Sequence, residues 1–156
     1  MPLQFEVRIP DTIPVEVEGL LPEKLCVLGL EEIRRLPVLS GNREVEAGDV
    51  FRITGSCGED LQIRFAGDCR HVKRIGVELS EGEILVEGSA GMHLGGEMKG
   101  GTIRVLGDVS DWAGAEMSGG RISIRGNAGE HLGGAYRGAK RGMTGGEILV
   151  EGNCGH

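Results

Sequence analysis

The sequence has few aromatic residues and lacks the features of nucleic-acid-binding, membrane and secreted proteins. Its 156 residues include one Trp, one Tyr and three Phe, too few for a base-stacking platform. A formal net charge of −7 argues against a phosphate-binding surface, which needs a basic stripe. No apolar run approaches the roughly 20 residues of a membrane-spanning helix, and the N-terminus lacks the basic and apolar regions of a signal peptide. We expect a cytoplasmic protein that binds neither nucleic acid nor membrane.

Metal-ligand spacing is also missing from the sequence. The four cysteines, at positions 26, 57, 69 and 154, form no CxxC pair. A zinc or iron–sulfur site built by this chain alone is therefore not expected. Nothing along the chain resembles a nucleophile–base pair either, so we assign no catalytic, cofactor-binding or metal-binding residue.

Glycine is what the sequence has in excess, with 29 residues against about 11 expected from average usage. Four segments of seven residues run from glycine to glycine and read almost identically, at 82–88, 101–107, 120–126 and 146–152. Two weaker copies lie at 49–55 and 61–67. The closing glycines are spaced by 12, 21, 19, 19 and 26 residues. The longest spacing resolves as a repeat of 19 residues with seven inserted between Gly133 and Met143.

Each segment alternates apolar and polar residues, with Ile84 and Val86 on one face of the first strong copy. Such a period of two is typical of a β-strand, and no room for a helix is left in a 19-residue unit. Units that cannot bury their own apolar face must stack, about 4.8 Å apart. We therefore predict an all-β fold, a right-handed single-stranded β-helix (a solenoid) with coils of about 19 residues. The apolar pairs expected to superpose inside it are Ile63/Phe65, Ile84/Val86, Ile103/Val105, Ile122/Ile124 and Ile148/Val150.

The first part of the chain lacks the repeat, so we divide the chain into two parts. Residues 1–47 are predicted to be an N-terminal cap of short strands, at 5–9 and 15–17, with a possible helical turn at 30–36. A cap is needed because an open end of a stack exposes unpaired N–H and C=O groups. Residues 48–156 are predicted to be the glycine-rich β-helix.

Several stretches of the repeat region resemble a known family. Residues 127–138 read Asn-Ala-Gly-Glu-His-Leu-Gly-Gly-Ala-Tyr-Arg-Gly, and residues 141–152 read Arg-Gly-Met-Thr-Gly-Gly-Glu-Ile-Leu-Val-Glu-Gly. Both resemble the C subunit of formylmethanofuran dehydrogenase. The stretches at 67–76 and 107–120, which include an Asp-Trp-Ala-Gly turn, resemble it as well.

The resemblance implies a right-handed β-helix related to the C-terminal domain of the glutamate synthase large subunit. It also implies membership of a hetero-oligomeric oxidoreductase complex of methanogenesis and one-carbon metabolism. That complex reduces carbon dioxide and attaches it to methanofuran as a formyl group, or runs the reaction in reverse. In that family the tungsten- or molybdenum-pterin, the iron–sulfur clusters and a binuclear metal site lie on other subunits. We therefore expect a non-catalytic structural subunit whose partners are the other subunits.

Members of this family usually continue for further coils. The chain ends at His156, early in a turn, so we expect a truncated or shortened form whose last coil is covered by a partner.

Three alternatives remain open. The chain could be the β-helical subunit of the related bacterial formyltransferase/hydrolase complex, or a glutamate synthase-like β-helix module. A weaker possibility is an independent ligand-binding solenoid, for which only Trp112 and Tyr136 could stack on a sugar.

The seven-residue insertion is the best candidate for a functional site. It places three cations together in an otherwise acidic chain, and loops on a rigid scaffold often carry binding function. We predict that it contacts a partner protein of the complex, the alternative being a tolerated surface excursion. The predicted interface residues are Tyr136, Arg137, Lys140 and Arg141.

Three other sets of residues have simpler interpretations. His93 and His131 share a position of the repeat two coils apart, about 10 Å, which is too far for one metal ion. Cys57, Cys69 and Cys154 each follow a closing glycine by two residues, and we expect unreactive thiols in small apolar slots. Three glutamates at successive repeat positions are expected to form a solvated rim; they are Glu78, Glu97 and Glu116.

Overall fold

The structure is a computed structural model, and it describes residues 3–8, 14–56, 61–130, 132 and 144–153. Within these ranges the chain forms strands of two to five residues and three short helices. The helices are α1 (Pro22–Leu25), α2 (Leu30–Arg34) and α3 (Ala47–Val50). The strands are β1 (Leu3–Val7), β2 (Val15–Glu16), β3 (Pro37–Ser40), β4 (Arg43–Glu46), β5 (Phe51–Thr54), β6 (Gln62–Ala66), β7 (Val72–Lys73), β8 (Glu83–Val86), β9 (Thr102–Val105), β10 (Arg121–Ile124) and β11 (Glu147–Val150).

The larger of two sheets has seven strands in the order β11-β10-β9-β8-β6-β1-β5. Five of them, β6, β8, β9, β10 and β11, pair in parallel, and we call these five strands the ladder. Ile84 lies opposite Ile103, and Ile103 lies opposite Ile122. The predicted superposition of the apolar pairs is therefore confirmed along the whole ladder, from Ile63 to Ile148.

The N-terminal strands combine parallel and antiparallel pairing. Strand β1 pairs in parallel with β6 and antiparallel with β5, which lies at the edge of the sheet. The smaller sheet has the order β4-β3-β2-β7, with antiparallel pairing at β2–β3 and β3–β4 and parallel pairing at β2–β7. Both sheets are therefore mixed.

The predicted fold class, an all-β single-stranded right-handed β-helix, is consequently wrong. Mixed sheets and three short helices replace it in the ranges that the structure describes. The weaker repeat copy at 49–55 shows why, since its strand β5 pairs antiparallel with β1 and not with the ladder. Repeat spacing predicts which residues stack within the repeats, but it carries no information on how the preceding, non-repeating residues pair.

The core changes in character along the large sheet. At one end the rings of Phe5, Phe51 and Phe65 contact one another, with centroids 5.2–5.9 Å apart. Along the ladder the core is aliphatic, and its inward side chains are fully buried as far as Ile122 and Ile124 in β10. In β11, which lies at the other end of the sheet, the corresponding side chains are only partly buried.

A column of polar side chains links successive repeats outside the strands. The Ser89 Oγ accepts the Asp108 N–H at 3.0 Å, and the Asp108 Oδ1 accepts the Asn127 N–H at 2.7 Å. The Asn127 Oδ1 accepts the Asn153 N–H at 2.8 Å, across 26 residues instead of 19. The same contact thus persists across the longer repeat, which confirms the predicted insertion of seven residues.

Candidate interaction surface

Alternate residues of the ladder point away from the core because successive side chains of a strand lie on opposite faces. The outward residues of its last four strands, with those that directly follow them, form a polar surface that we call the ladder face. Its members are Glu83, Leu85, Glu87, Thr102, Arg104, Leu106, Arg121, Ser123, Arg125, Glu147, Leu149 and Glu151.

A depression of about 400 Å³ lies on the ladder face. Ser123 lies opposite Arg104 on one side and Leu149 on the other. The short serine side chain lies among longer ones, so the surface is lowest there. Arg121 and Arg125, which flank Ser123 along the chain, complete a set of three arginines around the depression.

These three arginines are only loosely paired with carboxylates of the same face. Arg121 Nη2 lies 3.5 Å from Glu147 Oε2, Arg125 Nε lies 3.6 Å from Glu151 Oε2, and Arg104 Nε lies 3.7 Å from Glu83 Oε1. These distances exceed the usual 2.7–3.2 Å of an N–H···O hydrogen bond. The arginine side chains are 61–67% exposed, so solvent screens each pair and its contribution to stability is small.

Two exposed leucines flank the arginines. Leu106 is 42% exposed and Leu149 is 52% exposed, and the other large hydrophobic residues exposed in the described ranges are Val27 and Leu39. Arginine is enriched at protein interfaces, and burying exposed apolar area favours association. The depression on the ladder face therefore offers both cationic and apolar groups to a contacting protein.

The predicted partner-contacting residues Tyr136, Arg137, Lys140 and Arg141 lie outside the described residues. In sequence they connect β10 to β11, two strands of the ladder face. Their contact with a partner stays a prediction.

The repeat position of the histidines holds a pair of stacked rings. His93 and Trp112 lie with centroids 6.4 Å apart and planes inclined by 16°, whereas His131 lies outside the described residues. Burial lowers the pKa of His93, and the positive charges of Arg74 and Lys73 lower it further. Across the described ranges, no three His, Cys, Asp or Glu side chains are grouped so that they could hold a metal ion.

Cys69 occupies the small buried slot that the repeat predicts. It forms a parallel bridge with Ala90, which bridges Val109, which in turn bridges Ala128. Burial raises the pKa of the Cys69 thiol from 9.0 to about 12, with smaller contributions from Asp68 and Glu87. Cys57 and Cys154 are outside the described residues.

The three glutamates stack through their backbones, as their shared repeat position predicts. The Glu78 N–H donates to the Gly96 carbonyl at 2.9 Å, and the Glu97 N–H donates to the Ala115 carbonyl at 2.7 Å. Glu78 and Glu97 are exposed, whereas Glu116 is half-buried. All three have a positive φ, between 56° and 65°, a conformation that the sequence pattern predicts only for glycine.

The sequence pattern did not predict the ladder face as a candidate site. The sequence did contain a signal for this surface. The outward positions of the strands hold arginine, glutamate and leucine, and not only small polar residues. Which of these residues surround Ser123 depends on the register between strands.

The parallel strands of the ladder present one continuous outward face, which is the kind of surface that another protein can contact. Among the described helices, none is long and apolar enough to cross a membrane.

Comparisons with known proteins confirm the resemblance to the C subunit of formylmethanofuran dehydrogenase. The chain is 42% identical over 83 residues to the C subunit of the tungsten-containing formylmethanofuran dehydrogenase 2 of Methanococcus maripaludis, covering 53% of this chain and 30% of that protein. It is 47% identical over 83 residues to the C subunit of the molybdenum-containing formylmethanofuran dehydrogenase 1 of Methanothermobacter marburgensis, covering 53% and 21%. No family model matches the chain.

A solved structure matches almost the whole chain. It is the crystal structure of the formyltransferase/hydrolase complex FhcABCD of Methylorubrum extorquens in complex with methylofuran. The TM-score is 0.89 at 33% identity, and the match covers 97% of this chain and 56% of that one. This chain therefore spans about half of the structural neighbour, and the match to each curated relative covers less than a third of that relative.

Proposed function

We propose that this chain is a structural subunit, equivalent to the C subunit, of a formylmethanofuran dehydrogenase that reduces carbon dioxide and forms formylmethanofuran. The observation that carries the proposal is that the C subunits of a tungsten and a molybdenum enzyme are similar to the same fraction of this chain, at 42% and 47% identity. Because this chain is similar to the C subunits of both the tungsten and the molybdenum enzyme, the similarity does not depend on which metal the enzyme uses. This supports a role in assembly and not in the metal chemistry.

In this proposal the chain carries no active site of its own. The tungsten- or molybdenum-pterin, the iron–sulfur clusters and the binuclear metal site belong to partner subunits, and the complex works in the cytoplasm. The rows of buried side chains in the ladder support a rigid scaffold, and the ladder face offers exposed arginines, a residue type that is enriched at protein interfaces.

Residues 1–47 serve in this proposal as the cover of one end of the ladder. Strand β1, which belongs to these residues, continues the parallel pairing beyond β6, and β5, which follows them in the chain, pairs antiparallel with β1 at the edge of the sheet. The backbone N–H and C=O groups of β6 on the side away from β8 are thereby paired with β1.

A second candidate is the equivalent subunit of a formyltransferase/hydrolase complex, in which carbon dioxide reduction plays no part. The observation that favours it is the match of 97% of this chain to a chain of the FhcABCD crystal structure.

Affinity purification from the native organism, with a tag on this chain, tests both candidates. Co-purifying subunits together with tungsten or molybdenum and iron would support the dehydrogenase. A complex without these metals but with formyltransferase activity would support the second candidate. Elution of the tagged chain alone, when an untagged control retains nothing, would contradict both.

A further inference from the structure

We propose that the depression at Ser123 docks a sister subunit through a segment that carries carboxylates beside an apolar side chain. This inference rests on the proposed function, because it assumes that sister subunits exist. It names the place of contact and the chemistry of the occupant.

The arginines provide the first argument. Arg104, Arg121 and Arg125 surround one depression, and none donates a hydrogen bond shorter than 3.5 Å to a residue of the described chain. A guanidinium carries five N–H donors in a planar fork that matches a carboxylate bidentately. Most of this donor capacity faces solvent, so an incoming carboxylate can engage it without breaking a strong internal pair.

The distribution of charge provides the second argument. The depression is lined by three arginines and two glutamates, Glu147 and Glu151, so its charged side chains sum to +1 in a chain of net charge −7. An acidic segment is therefore repelled less at the depression than by the chain as a whole. Electrostatics therefore direct a segment of this kind to the three arginines.

The apolar flanks provide the third argument. Leu106 and Leu149 expose 42% and 52% of their surface on opposite sides of β10. Covering them would remove apolar area from water and would strengthen the neighbouring charge pairs by excluding solvent. A partner segment that carries a carboxylate beside an apolar side chain can therefore pair with the arginines and cover a leucine at the same time.

Carbodiimide cross-linking of the assembled complex tests the occupant directly. The variant Arg121→Lys keeps the positive charge and adds an amine that couples to a carboxylate in contact. We expect mass spectrometry to find position 121 joined to an Asp or Glu of a sister subunit, and Arg52→Lys, at an exposed position of β5, to give no such product. Coupling of position 121 only within its own chain, or to a second copy of this chain, would overturn the proposal.

Binding of the chain to the remaining subunits provides a second measurement. The triple variant Arg104→Gln, Arg121→Gln, Arg125→Gln should weaken assembly about 30-fold or more and reduce its dependence on salt. The matched control replaces three exposed arginines elsewhere, Arg35→Gln, Arg43→Gln and Arg52→Gln, and should change assembly less than about twofold.

The two proposals fail in different ways. If the wild-type chain assembles and the triple variant assembles equally well, the docking site is wrong while the proposed function stands. If the wild-type chain binds no sister subunit, both are wrong. Circular dichroism and thermal unfolding of each variant separate lost binding from lost folding, and the cross-link at position 121 remains decisive if the triple variant unfolds.

Discussion

Gly76, Gly95 and Gly114 lie at the same point of successive repeats, with φ values of 72°, 63° and 65°. A Cβ at each position would meet the Cδ1 of an inward isoleucine, at 2.5–2.7 Å. Backbone conformation and packing therefore both require glycine. The sequence predicts glycine at the bends, because only glycine adopts a positive φ without a steric penalty.

Replacing Gly95 should destabilise the protein through both effects. In Gly95→Ala the new Cβ lies 2.7 Å from Ile122 Cδ1 at a φ of 63°. Left-handed strain and overpacking together should lower the free energy of unfolding by roughly 2–4 kcal/mol, measured by urea denaturation.

The control is Gly29→Ala, where φ is −79° and the nearest atom, Glu32 Oε1, lies 3.9 Å away. Gly29 is the N-cap of α2, where glycine is preferred over alanine, so this variant should lose up to about 1 kcal/mol, still well below the loss in Gly95→Ala. Equal losses of stability in Gly95→Ala and Gly29→Ala would show that the turn at Gly95 is not tightly packed.

The buried thiol of Cys69 should make stability fall at alkaline pH. Its pKa is about 12 in the folded chain against 9.0 ordinarily, so the unfolded chain releases this proton first. The stabilisation is complete below pH 9 and is lost between about pH 9 and pH 12. This group alone should lower the free energy of unfolding by about 1.4 kcal/mol between pH 8 and pH 10.

The variant Cys69→Ala isolates that effect, because alanine already occupies the same slot at positions 90 and 128. Its loss of stability over the same pH interval should be smaller by about 1.4 kcal/mol. Rapid labelling of Cys69 in folded wild-type protein at pH 8 would contradict the burial on which the prediction depends.

The sequence pattern did not predict that several non-glycine residues adopt a left-handed backbone conformation. Arg74, His93 and Trp112 have φ values of 63–67°, and each donates its N–H to a carbonyl of the next repeat, at 2.9–3.0 Å. Arginine and tryptophan show no intrinsic preference for this conformation, and histidine is only enriched in it relative to other non-glycine residues. The stacking of one repeat on the next stabilises it.

At the scale of elements, the polar column outside the strands joins repeats that the strands already align. Each side-chain oxygen in the column accepts a backbone N–H of the following repeat, at 2.7–3.0 Å. The column therefore strengthens the register set by the inward isoleucines.

Removing one acceptor from this column should weaken it measurably. Asp108→Ala leaves the exposed Asn127 N–H without the acceptor that now lies at 2.7 Å, and should lower the free energy of unfolding by about 0.5–1.5 kcal/mol. Asp108→Asn keeps a carbonyl oxygen and should lose less than about 0.5 kcal/mol. Equal losses of stability in the two variants, measured by thermal unfolding, would show that the negative charge of Asp108, and not its hydrogen-bond acceptor, stabilises the column.

The strands of the repeats were predicted well from the sequence, whereas the pairing of the N-terminal strands was not. Strands β8 to β11 and their register follow from the apolar–polar alternation and the glycine spacing. The predicted helical turn at 30–36 contains α2, and the predicted strand at 5–9 overlaps β1. The antiparallel pairing of β3 with β4 and of β1 with β5 depends on contacts between segments that share no periodic pattern.

For the whole molecule, the basic insertion offers a test that is independent of the Ser123 depression. Charge reversal at Arg137, Lys140 and Arg141 together should weaken assembly with partner subunits about tenfold or more, because like charges would then face an acidic partner. Analytical size exclusion with co-expressed subunits measures this. Undiminished assembly would show that the insertion is a tolerated excursion.

Periodic and local patterns along the chain were enough to establish the repeat, the inward rows from Ile63 to Ile148, the insertion and the resemblance to the C subunit of formylmethanofuran dehydrogenase. Three features emerged only from the folded chain: both sheets are mixed, β5 lies antiparallel at an edge, and three arginines surround Ser123. These features could not be read from local patterns, because the free energy of packing between distant segments sets the direction of strand pairing and the neighbours of each side chain.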